Sequence, residues 1–221
     1  MKSIAIDGPA GAGKTTLAKA LAKELGFHYV DTGAIYRTIA YHFAMYGIGP
    51  KDKDTIARLI GDANIDICYD ADGAQHMILN GTDVTQEIRT PEISTAASVI
   101  SAQPLVRNYL LDMQREMANK YDVVMDGRDI GTVVLPKADV KLFVTASEDV
   151  RAQRRFLELQ EKGEKTTLQQ VLQDQKARDL ADSTRAVAPL KQAQDAILLD
   201  TSEITAEEAC ARAKAIVEDA L

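Results

Sequence analysis

The sequence predicts an α/β fold, a five-stranded parallel sheet flanked by helices, and three observations lead to it. Short apolar runs alternate with stretches of helical periodicity along the 221 residues. The first apolar run leads directly into a glycine-rich turn and then a helical pattern. One connection between successive runs is several times longer than a βαβ unit needs, which places an insertion in the sheet's wiring. With 46% hydrophobic residues the chain can bury one sizeable core carrying small appended lobes.

The first strand is read at Ser3 to Ile6. Gly8, Pro9, Ala10, Gly11, Ala12, Gly13, Lys14 and Thr15 follow, with Thr16 next in line, and they fit G-x-x-x-x-G-K-[ST]. This is the phosphate-binding P-loop, so the fold is expected to be a P-loop NTPase core. Glycines let consecutive N–H groups turn inward around an anion, the helix start aims its positive end at the same point, and Lys14 adds a charge. Thr15 is placed to offer a hydroxyl to Mg²⁺, and Lys14 is expected on the solvent side as a phosphate ligand. The helix runs from about Gly13 to Leu25 and stops at Gly26, a residue suited to a left-handed C-terminal cap.

A second strand covers His28 to Val30. From Val30 to Asp122 the chain then runs about ninety residues, against roughly thirty for a complete βαβ unit. Within it, Asn64 to Tyr69 and Gln75 to Leu79 read as strands joined through Asp70-Ala71-Asp72-Gly73, and Asn80-Gly81 marks a further tight turn. Residues 63–88 are therefore expected to form a small β-rich lobe standing off the sheet, flanked by helix over Ile35 to Tyr46 and Pro91 to Met117. The remaining strands are Asp122 to Met125, Val140 to Val144 and Ala196 to Leu199. The last helix starts at Thr205, with Glu207 and Glu208 in its first turn.

Between the last two strands lies a polar stretch with Arg151, Arg154, Arg155, Arg178 and Arg185. Arg151, Arg154 and Arg155 fall on one helix face, as do Arg178, Asp182 and Arg185. A solvated hairpin laced with ion pairs accounts for this spacing. Beside a triphosphate site, a mobile lid that carries arginines onto the phosphates accounts for it better.

A net charge of −7 and a pI near 5.1 argue against a polynucleotide partner, because such proteins present a basic face that displaces counterions. Cys68 and Cys210 lie far apart and show no ligand spacing; they read as reduced thiols of a cytoplasmic protein. His28, His42 and His76 are scattered, so a metal is expected to arrive with the nucleotide. No apolar run approaches the ~18 residues of a membrane span. Asp126, closing an apolar strand, is the carboxylate placed to orient Mg²⁺ or its waters.

Four segments together resemble bacterial cytidylate kinase: Asp7 to Lys14, Asp31-Thr32-Gly33-Ala34-Ile35-Tyr36-Arg37, Asp126-Gly127-Arg128-Asp129-Ile130-Gly131-Thr132, and Arg185-Ala186-Val187-Ala188-Pro189-Leu190. They extend over nearly the whole chain. The resemblance implies transfer of the γ-phosphoryl of ATP to CMP or dCMP, with Mg²⁺, by a monomer. It divides the chain into a kinase core (1–32, 100–150 and 189–221), an enlarged monophosphate-binding lobe (33–99) and a helical lid (151–188). By the same likeness Thr32, Arg37, Arg128 and Arg185 hold the acceptor phosphate. Ser98, Arg107 and Asp129 read the cytosine edge, and Arg178 and Asp182 bind the sugar. Lys14, Asp126, Arg128, Arg154 and Arg155 are expected to serve the transfer itself.

Such residues suit the chemistry. Phosphoryl transfer needs alignment and neutralisation of spread negative charge, which planar guanidinium groups supply. The acceptor monoester has a second pKa near ~6, so its oxygen is already anionic at neutral pH and needs no base. Two other readings compete: a P-loop kinase for a small hydroxylated acid, which leaves Ser98, Arg107 and Asp129 unexplained, and a guanine-nucleotide switch, for which the Asn/Thr-Lys-x-Asp motif is missing.

Overall fold

The computed structural model describes all 221 residues. Five parallel strands form the main sheet: β1 (Ser3–Asp7), β2 (His28–Asp31), β6 (Val123–Asp126), β7 (Val140–Thr145) and β8 (Ile197–Asp200), in the order β2-β6-β1-β7-β8. β1 and β6 are buried nearly end to end, as strands covered by helices on both faces must be. The expected strands therefore stand, with ends shifted by about one residue.

Each face of the sheet has its own apolar cluster. On one, α1 (Lys14–Leu25) and α8 (Ala206–Ala220) pack Leu17, Leu21, Ala213 and Val217 against Ile4, Ile6 and Leu142. α1 ends at Gly26 with φ +70°, and Thr205 opens α8 in a reciprocal capping box with Glu208. On the other face α2 (Thr32–Met45), α4 (Pro91–Ile100) and α5 (Pro104–Lys120) bury Ile35, Ile39, Phe43, Ile100 and Leu110.

The insertion departs from expectation in two ways. It holds a three-stranded antiparallel sheet, β3 (Ile65–Tyr69), β4 (Gln75–Leu79) and β5 (Thr82–Asp83), but this sheet does not stand off. Ile65, Met77 and Leu79 lie in the same apolar cluster as Ala5, Val123 and Met125, so insertion and main sheet share one core. Its alternating pattern reads as a half-buried sheet but does not say what buries the inner side. Second, the helical flank from Pro91 breaks at residues 101–103, and a short helix α3 (Lys53–Leu59), with one buried residue, Ile56, precedes β3. Pro104 explains the break: it cannot donate to a continuing helix and restricts Gln103, which is extended at φ −85°, ψ 123°.

The polar stretch forms the pair α6 (Glu148–Glu161) and α7 (Leu168–Thr184), held by a cluster of three buried residues, Ala152, Leu159 and Val171. No helix is long and apolar enough to cross a membrane.

Candidate active site

The glycine-rich turn leaves β1 at the carboxyl edge of the sheet, where open α/β folds bind ligands. Gly8 is at φ +146°, and a Cβ there would lie 1.9 Å from the carbonyl oxygen of Val144, so only glycine fits. Gly13 caps α1 in the left-handed conformation without a side-chain cap, leaving the first-turn N–H groups for an anion.

Lys14 corrects the expectation of a solvent-side group. It is 6% exposed, and its ammonium donates to the carbonyl of Pro9 at 2.6 Å. Burial, then the nearby Arg128, holds its pKa well below the ordinary lysine value. The lysine is folded back onto its own loop, at the start of the helix that the glycine turn leads into.

Asp126 is equally buried. One carboxylate oxygen accepts from the Thr15 hydroxyl at 2.9 Å and the other from the Tyr29 hydroxyl at 3.2 Å. Burial first, and then Asp31 beside it across the β2–β6 register, raises its pKa to about 6. An oxygen-donor pair whose anion is disfavoured as it stands suits a hard cation, and Thr15 with Asp126 fits Mg²⁺ on that ground. Asp7, quoted in the P-loop segment without a role, accepts from the main-chain N–H groups of Ile130 and Gly131 at 2.7 Å each. It ties the P-loop strand to the turn after Asp129, and burial raises it too to about 6.

The arginines gather on the other side of this edge. Arg37 pairs with Asp31 at 2.8 Å and Arg128 with Asp182 at 2.9 Å. Arg178 keeps an exposed surface and has no hydrogen-bond partner, yet its pKa falls to about 10. The surrounding protein depresses it first, then Arg128, with Arg37 and Arg155 adding to the push against the pull of Asp182. A crowd of guanidinium groups that repel one another marks a place for an anion.

Asp129 joins two arginines: one oxygen accepts from Arg107 and the other from Arg185 at 3.1 Å. Arg107 also donates to the carbonyl of Ser101, at the end of the helix that carries the half-buried Ser98. Arg185 reaches this cluster because Ala188, at φ +49°, turns the chain after α7 so that its carbonyl accepts from Arg185 at 2.7 Å. Thr32 donates its hydroxyl to the carbonyl of Asp126 at 2.8 Å, which brings the start of α2 against the end of β6.

The three arginines on one face of α6 have three different partners. Arg151 is buried, donating to the carbonyl of the P-loop residue Ala10 at 3.0 Å and to Asp179 at 2.6 Å. These contacts tie the start of α6 to the P-loop and to α7. Arg154 donates to the side chain and carbonyl of Thr201, and lines a cavity of about 160 Å³ with Gly13, Thr16 and Cys210. Arg155 pairs with Glu158 near the surface.

A family model described as Cytidylate kinase matches residues 4–219. The chain belongs to the cytidylate kinase family. It is 50% identical over 216 residues to a cytidylate kinase of Desulfitobacterium hafniense, covering 98% of this chain and 92% of that one. It is 47% identical to that of Carboxydothermus hydrogenoformans, covering 97% and 96%. Among solved structures, a shikimate kinase from Bacteroides thetaiotaomicron superposes with a TM-score of 0.51 at 16% identity, covering 98% of each chain. That likeness shows the P-loop kinase fold.

Tyr29, Asp31 and Asp7 carry no role in the sequence reading. Tyr29 meets Asp126 across 97 residues and Asp7 meets Ile130 across 123. Asp31 has its partners Ala34 and Arg37 close by, and it and Asp7 each head a segment that carries the family resemblance, which is the signal the sequence offers for them.

Proposed function

We propose a division of labour for the reaction of this cytidylate kinase, the ATP-dependent phosphorylation of CMP and dCMP to the diphosphates. The P-loop from Gly8 to Thr16 binds the ATP phosphates. Lys14 leaves the Pro9 carbonyl for the β- and γ-phosphates when they displace it. Thr15 and Asp126 hold the Mg²⁺ that accompanies ATP, directly or through its waters; the ion supplies charge neutralisation across the phosphates. Arg37, Arg128 and Arg185, with Thr32, take the acceptor phosphate, and Arg178 with Asp182 takes the sugar.

The mutual repulsion of Arg178 with Arg128, Arg37 and Arg155, at an arginine with no hydrogen-bond partner of its own, supports this reading. Two phosphate groups brought together need that much positive charge, and arginine supplies it in a planar, multiply donating form. Asp129 positions Arg107 and Arg185, and since each carboxylate oxygen has a second lone pair it still accepts from the cytosine amino group. The Ser98 hydroxyl is a second acceptor for the same amino group. UMP would set a carbonyl oxygen against that carboxylate, so CMP is preferred by well over about tenfold. The enzyme works as a monomer in the cytoplasm.

A coupled ADP-release assay with ATP, Mg²⁺ and a panel of nucleoside monophosphates tests the reading. Turnover with CMP and dCMP well above UMP, AMP and GMP is expected. Equal use of UMP removes Asp129 as the base reader, and no turnover with CMP removes the reading.

A further inference from the structure

β2 is the outer strand of the main sheet, with β6 as its single neighbour. An outer strand leaves main-chain groups on its open side without ladder partners. Here two side chains of the insertion take them. The Tyr69 hydroxyl donates to the carbonyl of Tyr29 at 2.9 Å. The Gln75 amide oxygen accepts from the N–H of Asp31 at 2.7 Å, and its nitrogen leans back toward the Asp31 carbonyl at 3.4 Å. Tyr69 and Gln75 face each other directly in the β3–β4 register, so one rung of the small sheet docks edgewise on β2.

Asp31 stands at a junction. One of its carboxylate oxygens caps α2 by accepting from the N–H of Ala34 at 2.9 Å, and the other accepts from Arg37 at 2.8 Å. It also adjoins Asp126 across the strand register, where a misdirected carboxylate would add repulsion at the cation-binding pair. The direction of the Asp31 side chain thus sets both where Arg37 points and how much negative charge reaches Asp126.

We infer that Gln75 is a positioning residue for the acceptor: by gripping both main-chain groups of Asp31 it fixes the carboxylate that aims Arg37 at the phosphate of CMP. The inference rests on Arg37 being a ligand of that phosphate. It gives the inserted sheet a part in the reaction although none of its strands carries a residue that touches substrate. Misplacing a binding group by a fraction of its contact distance weakens binding without unfolding the site.

Steady-state kinetics with CMP and ATP varied in turn test this on Gln75→Ala, Gln75→Met, Tyr69→Phe, Arg37→Ala and the Gln75→Ala/Arg37→Ala pair. The Gln75 variants are expected to raise the KM for CMP about tenfold, with kcat and the KM for ATP within about twofold. Gln75→Met keeps the side-chain length and carries the test if Gln75→Ala lowers the melting temperature. Tyr69→Phe removes the other contact of the same rung but does not touch Asp31, and is expected to leave the KM for CMP within about twofold. Adding Gln75→Ala to Arg37→Ala is expected to cost nothing further, since the two act on one contact. A normal KM for CMP in both Gln75 variants, alongside a raised one in Arg37→Ala, overturns the inference alone. So does an equal rise in Tyr69→Phe, which would mean that docking of the sheet matters and the grip on Asp31 does not. A normal KM for CMP in Arg37→Ala overturns the reading of Arg37 and the inference with it.

Discussion

The two sides of the cleft are wired differently. On the proposed donor side main-chain contacts prevail: Lys14 to the Pro9 carbonyl, Asp7 to two N–H groups, and Arg151 to the carbonyls of Ala10 and Ala146 besides its pair with Asp179. On the proposed acceptor side carboxylates prevail: Arg37 pairs with Asp31, Arg128 with Asp182, Arg107 and Arg185 with Asp129, and Arg107 and Arg185 add a main-chain carbonyl each. A group held by backbone is as rigid as the strand or loop that holds it. An arginine held by a carboxylate through one part of its guanidinium still has N–H donors for a phosphate. On the proposed roles, the donor half is held by backbone before ATP arrives, whereas the acceptor half has its arginines positioned by carboxylates with donors left for the anion.

Removing a rigid donor charge should do the greatest damage. Lys14→Met keeps the buried methylenes and deletes the ammonium; kcat is expected to fall by about a thousandfold or more, roughly 4 kcal/mol of transition-state stabilisation. The melting temperature should hold or rise, because the change also relieves a charge that burial disfavours. A kcat within tenfold of the parent would place the donor charge elsewhere.

On the acceptor side a single change should disturb two arginines at once. Asp129→Asn weakens the hold on both Arg107 and Arg185, so kcat/KM for CMP is expected to drop about a hundredfold with the KM for ATP unchanged. The CMP-to-UMP ratio should shrink as well, since an amide can donate to the uracil carbonyl. A retained ratio would leave base discrimination to Ser98 and Arg107. A raised KM for ATP would break the separation between the halves.

Stability against pH sharpens the contrast further. Asp7 and Asp126 both titrate near about 6 in the folded protein, above the ordinary aspartate value of 3.8. The folded state therefore binds more protons than the unfolded state between those values, and stability falls as pH rises from about 4 to about 6, then levels off. The melting temperature of the unliganded enzyme should drop by on the order of 10 °C over that window. Asp126→Asn should remove part of the slope and impair turnover at pH 7. A flat profile would mean that these carboxylates are better solvated than their burial implies.

What the sequence disclosed follows the span of each contact rather than the side of the cleft. Lys14 reaches Pro9 within one motif, so spacing locates that contact, whereas Asp7 reaches Ile130 across 123 residues and Arg151 reaches Ala10 across 141. The strands and the caps at Gly26 and Thr205 were legible because local residue chemistry decides them. Acceptor-side contacts join Arg128 to Asp182 across 54 residues and Arg185 to Asp129 across 56. The residue types could be named there through resemblance, but no spacing rule pairs them. The packing of Met77 and Leu79 against the main sheet was hidden likewise: alternation shows a buried side without its partner. Helix periodicity grouped Arg151, Arg154 and Arg155, and only tertiary contacts divide them.

That division gives the smallest expected effects. Arg154 lies in the cavity beside Gly13 and Thr16, held by Thr201, so on the proposed roles it belongs with the donor side although α6 carries it. Arg154→Ala should raise the KM for ATP about tenfold, the usual scale of one lost charge-assisted contact. Arg155 is paired with a neighbour one turn along and is 39% exposed, an arrangement that contributes little to stability. Its remaining influence is the field it adds at Arg178. Arg155→Ala should therefore leave the melting temperature unchanged and lower kcat by about threefold or less, with the loss greatest at low salt, where screening is weakest. If kcat instead falls a hundredfold, α6 must swing far enough on its Arg151 anchor to bring Arg155 onto the transferring phosphate, and the lid would be the one part of the donor half that is not built in advance.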